Sequence, residues 1–109
     1  MADWKVQIEE ELARAERARA RNNEGQARVC ARRAAGLAAR EYLQQTGAPV
    51  HTNSAYELLK LLADQPRLAP DLRRAAVHLT LRVTEEFKLP VEVDLIVEAK
   101  KLCNGLFPE

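Results

Sequence analysis

The chain has 109 residues, with 17 Lys plus Arg against 16 Asp plus Glu and a formal charge of +1. This length allows one domain with one modest core, so residues 1–109 are expected to fold as a single unit, and a large multi-domain enzyme is excluded. The balanced charge argues against a protein that coats nucleic acid by bulk basicity and against an acidic disordered tail.

Apolar residues make up 47% of the chain and aromatics only 5%, and the apolar stock is mostly 18 Ala and 15 Leu. Both residues lose little entropy in a helix, so the composition predicts an all-α fold. No apolar run approaches the roughly 18 residues of a membrane span, and Met1-Ala2-Asp3-Trp4 opens no signal peptide. Cys30 and Cys103 are too few for a disulfide scaffold and suit free thiols in a reducing cytoplasm.

The first segment, Asp3 to Arg21, sets Trp4, Ile8, Leu12, Ala15 and Ala18 at steps of three and four, the apolar stripe of an amphipathic helix. The second, Gln26 to Gln45, repeats the pattern with Ala27, Cys30, Ala31, Ala34, Ala38 and Tyr42. Small residues on that seam let helix axes approach closely and place this helix at the centre of a bundle. Gly47 supplies a left-handed stop, and Pro49 follows it. Ser54-Ala55-Tyr56-Glu57 reads as a capping box, with Ser54 as N-cap, Glu57 reaching back, and Leu58, Leu59, Leu61 and Leu62 as the apolar payload. Pro66 closes that helix.

Pro70 and Asp71 open a fourth helix whose inward stripe is Leu72, Ala76, Leu79, Val83 and Phe87. In the last segment Val91 to Leu95 alternates as a strand would, yet a lone strand has no partner here. Leu95, Ala99, Leu102 and Leu106 restore helical spacing, so this segment is read as a helix. The expected architecture is an antiparallel bundle of four to five helices.

Little in the chain points to metal or cofactor chemistry. Cys30, His51, His78 and Cys103 stand on separate segments without the close pairs a zinc site draws on, and no metal or cofactor is expected. No glycine-rich phosphate cradle occurs. Charge is more telling locally: eight Arg and only two acids, Glu16 and Glu24, lie between Arg14 and Arg40. On the second helix Arg33 and Arg40 alternate with Val29, Gly36 and Leu43 along a line opposite the alanine seam. That line is either a phosphate groove or a partner-binding face, or else a solvated Arg-rich surface. On the fourth helix Arg74 and His78 are one turn apart on an outer face, with Arg73 five residues before His78. An imidazole that moves a proton beside a guanidinium that holds anionic oxygens is suited to a phosphodiester.

With these features the chain resembles the HEPN family, small helical-bundle domains of prokaryotes often encoded beside minimal nucleotidyltransferases. The resemblance runs from Asp3-Trp4 to about Leu102, carried by Asp3-Trp4, Ala31 to Ala39, Gly47, the loop with His51, Tyr56 to Leu62 and a long fourth helix ending near Leu89-Pro90. It implies a homodimer and, in many members, a metal-independent ribonuclease site built on an Arg-x4-6-His motif. Arg73 and His78 match that motif at its shortest spacing. Arg74 stands where the family usually has a small polar residue, and Leu79-Thr80 follow His78 where an aromatic is common.

The favoured reading is therefore a HEPN-like module. It would bind a nucleotide or RNA through Arg74, Arg33 and Arg40, or pair with a nucleotidyltransferase, as in a toxin–antitoxin system. The alternatives are a ribonuclease toxin using Arg73 and His78, and a non-catalytic helical interaction protein.

Overall fold

A computed structural model describes residues 3–82 and 92–108. Five helices follow one another: α1 (Trp4–Ala20), α2 (Glu24–Gln45), α3 (Ala55–Ala63), α4 (Pro70–Leu79) and α5 (Leu95–Leu106). Among the described residues there is no strand. No helix there is long and apolar enough to cross a membrane.

The local signals act largely as the sequence dictates. Asp3 caps α1 by accepting from the Lys5 amide at 2.9 Å. The chain then turns at Asn22, whose φ of 61° is a left-handed value that Asn tolerates better than most residues. Asn23 caps α2 by accepting from the Gln26 amide, so the turn is shorter than expected and Gly25 lies inside the helix. Gly47, at φ 82°, ends α2, and the Ala48 amide donates back to the Leu43 carbonyl. Ser54 caps α3 through the Glu57 amide, but the capping box is only half formed. The Ser54 amide donates to Thr52 Oγ1 instead of to the Glu57 carboxylate.

Alanine packing sets the architecture. Ala27, Ala31, Ala34, Ala35, Ala38 and Ala39 are fully buried, and α2 touches every other helix of the bundle. Leucines from the surrounding elements fill the remaining space, with Leu43, Leu59, Leu62, Leu79, Leu95 and Leu102 buried to below 2% or near it. Each contributes about 1.5–3 kcal/mol from burial of apolar area. Gly36 marks the closest approach, because a Cβ there would stand 2.7 Å from Ala55 Cβ at the start of α3.

Several expectations are corrected. Leu61 is 37% exposed, so of the α3 leucines only Leu58, Leu59 and Leu62 are buried. Leu43 is core and Gly36 is buried against Ala55 of α3, so of the expected outer apolar line only Val29 is exposed. On α5, Ile96 joins the core and Val97 is 52% exposed. The fourth helix ends at Leu79 instead of running on to Leu89. Thr80 is its C-cap, and Arg32 of α2 donates to the carbonyls of Leu79 and Leu81, taking up the acceptors a further turn would use. Val83 and Phe87 lie outside the described residues. The alternating stretch before α5 is neither strand nor helix over 92–94, and the helix starts only at Leu95, capped by Asp94 through the amides of Ile96 and Val97.

Candidate functional site

A cleft of about 610 Å³ opens where α1, α2 and the entry to α3 meet. Its floor is apolar, from Val29, Leu37 and Leu58, with Gly36 at the α2–α3 contact. The α2 wall carries Arg32, Arg33 and Arg40, and the α1 wall carries Gln7, Glu10, Glu11 and Arg14. Arg33 and Arg40 stand seven residues apart, two turns, and so project from one side of α2. Both are exposed, and among the described residues neither side chain makes a hydrogen bond or ion pair. The two guanidiniums singled out on α2 therefore share one cleft.

The other cations of the cleft are engaged. Arg32 is half-buried and held by the carbonyls of Leu79, at the end of α4, and Leu81, just beyond it. Burial, with Arg28 and Arg82 nearby, holds its pKa below the usual arginine value. Arg14 Nη1 donates to Glu11 Oε1 at 2.6 Å. Beside the cleft, the Tyr56 ring lies 5.3 Å from Lys60 Nζ and 5.2 Å from Arg82 Cζ, within cation–π range.

The α4 candidates lie elsewhere. Arg73 turns toward the α3–α4 loop, where Nε donates to the Ala63 carbonyl at 2.9 Å and Nη2 to that of Gln65 at 2.7 Å. His78 is partly buried between α4 and α5, with Nδ1 3.3 Å from Glu98 Oε2. Arg74 is exposed and, among the described residues, unpaired. The candidate set thus divides between the cleft (Arg33, Arg40) and α4 (Arg73, Arg74, His78), and no cleft residue comes from α4.

Two carboxylates escaped the sequence reading. Glu11 is buried to 7% and Glu98 to 8%. The signal for Glu11 was present, since it lies three residues after Ile8 and four before Ala15, on the inward stripe itself. Glu98 stands three residues after Leu95 and four before Leu102 in the same way. Among the described residues no group of His, Cys, Asp and Glu is arranged to hold a metal ion.

Away from the cleft, one ion network ties three helix ends together. Arg19, near the end of α1, donates to Glu24 at the start of α2 at 2.7 and 3.0 Å, and to the α5 cap Asp94 at 2.8 and 3.0 Å. The guanidinium holds both carboxyls below their usual range, and they raise the arginine in turn. Compared with family models, curated proteins and solved structures, the chain matches none of them.

Proposed function

We propose that the chain is a HEPN-like helical module that binds a nucleotide, free or at the end of an RNA strand, in the cleft between α1, α2 and α3. The observation that supports this reading is the pairing of two unengaged guanidiniums, Arg33 and Arg40, with an apolar floor in a cavity of about 610 Å³. Such a volume lies within the range of small-ligand sites. Forked donors suit phosphate oxygens, and apolar side chains suit the faces of a base. Calorimetric titration with nucleoside monophosphates tests it. Arg33→Gln with Arg40→Gln is expected to weaken binding at least about tenfold, since each charged contact is worth roughly 1.5–3 kcal/mol. Arg67→Gln, outside the cleft, is expected to leave binding unchanged. Equal affinity in both variants would remove the proposal.

A second reading, the metal-independent ribonuclease, has one observation in its favour. Glu98 beside His78 Nδ1 is placed to orient the imidazole, as a carboxylate does for a general base, with exposed Arg74 one turn away. Against it, the Arg73 guanidinium is already committed to backbone carbonyls. RNA incubated with the wild type and with His78→Ala in EDTA separates the readings, because only a ribonuclease loses cleavage with the histidine.

A further inference from the structure

We infer that the cleft selects guanine among the bases, reading its donor edge with the carboxylates of α1. The inference rests on the nucleotide reading above and adds the identity of the base. Its starting point is Glu11, whose side chain is nine-tenths buried in the α1 wall. Oε1 accepts from Arg14, whereas Oε2, also buried, has no hydrogen-bond partner among the described residues. A buried acceptor without a donor is costly to the fold, and a carboxylate can be satisfied only by a donor. Arg14, which pairs with the other oxygen, is 57% exposed along its side chain and can swing aside to admit a ligand N–H.

The walls of the cleft differ in kind. Glu10, Glu11 and the amide oxygen of Gln7 give α1 its acceptors, beside an Arg14 that pairs with Glu11, and Arg33 and Arg40 give α2 its donors. The complementary ligand carries donors at one end and an anion at the other. Guanine alone among the common bases presents two neighbouring donors, N1–H and the N2 amine, on its pairing edge. Adenine and cytosine set an amine beside a bare acceptor nitrogen, which a carboxylate repels, and uracil sets one N–H between two carbonyls. Val29, Leu37 and Leu58 offer apolar surface to the ring face.

The test is titration of the full chain at fixed ionic strength with GMP, IMP, AMP, CMP and UMP, and with a tetranucleotide containing one guanine. GMP is expected to bind at least about tenfold more tightly than AMP, CMP or UMP, with IMP, which lacks the N2 amine, between them, as for other sites built around a specific hydrogen bond. Glu11→Gln is expected to bring all five within about threefold of one another, by weakening GMP and relieving the repulsion of AMP and CMP. If that variant does not fold, the wild-type series decides alone. Equal binding of all five nucleotides, lost in Arg33→Gln, would overturn the guanine assignment and leave the nucleotide reading standing. No binding of any nucleotide would overturn both. The tetranucleotide shows whether free GMP or a strand is preferred.

Discussion

Nε of Arg73 donates to the carbonyl oxygen of Ala63 at 2.9 Å, fastening α4 to the last residue of α3. A second donor of the same fork reaches Gln65, so one side chain satisfies a carbonyl at the end of α3 and another in the α3–α4 loop. Lysine has no fork and cannot span both. Arg73→Lys is expected to cost about 1–3 kcal/mol of stability in urea unfolding. Arg74→Lys, on the exposed face, is expected to change stability by no more than about 0.5 kcal/mol. Equal effects would show that the fork does not anchor the loop.

Gly36 is the second position where geometry sets a sign. Ala normally favours a helix over Gly by about 1 kcal/mol. Here the added methyl would meet Ala55 Cβ at 2.7 Å and its Cα at 2.9 Å, and backbone cannot step aside as a side-chain tip can. Gly36→Ala is therefore expected to destabilise by about 1–3 kcal/mol despite the better propensity. A rise in Tm would contradict the α2–α3 contact.

The Arg19 network gives a pH dependence with a definite direction. Glu24 and Asp94 are held below their usual carboxylate range by Arg19, so the folded state binds protons less readily than the unfolded chain. The stability this confers is complete above the ordinary range near about 4 and is lost as the pH falls through the depressed values. The groups are partly exposed, so solvent screening limits the gain to about 1 kcal/mol or less. Arg19→Gln is expected to lose that amount at pH 7. The gap between variant and wild type should narrow as the pH falls from 5 to 3, and a gap that widens would refute the assignment.

The thiols are expected to be inert in the native protein. Cys30 is 1% exposed, and burial pushes the Cys103 thiol up to about 12. At pH 8 the thiolate fraction of Cys103 is then only about one in ten thousand, and the thiolate is the reactive form. Iodoacetamide should label neither residue appreciably before the chain is unfolded, and rapid native labelling of Cys103 would overturn this.

Where each element signal was local, the sequence carried the fold. The Ser54 cap, the Gly47 stop and Pro70 at the start of α4 act through neighbours a few residues away, and the alanine seam of α2 shows as a periodic spacing, so a reading along the chain could find them. The length of α4 was not legible in this way. Its apolar spacing continues past Leu79, but Arg32, 47 residues earlier, occupies the carbonyls at its end, and no local pattern encodes that contact. The cleft was half legible. Arg33 and Arg40 emerged from their spacing on α2, whereas the opposing acceptors of α1 belong to a helix whose rotation is fixed only by packing. The engagement of Arg73 with the α3–α4 loop was likewise hidden, since arginine spacing alone does not distinguish a free guanidinium from a tethered one.

Arg32 belongs to the wall of the cleft and to the end of α4 at once. An anion that draws its guanidinium inward must take it from the carbonyls of Leu79 and Leu81, so occupancy of the cleft and fraying of the last turn of α4 are two readings of one equilibrium. Linkage makes the exchange reciprocal: whatever clamps that turn weakens the ligand by the same factor that the ligand loosens the turn. Amide hydrogen exchange at Thr80 and Leu81, whose amides donate to Val77 and His78, would then report on a cavity that neither residue lines.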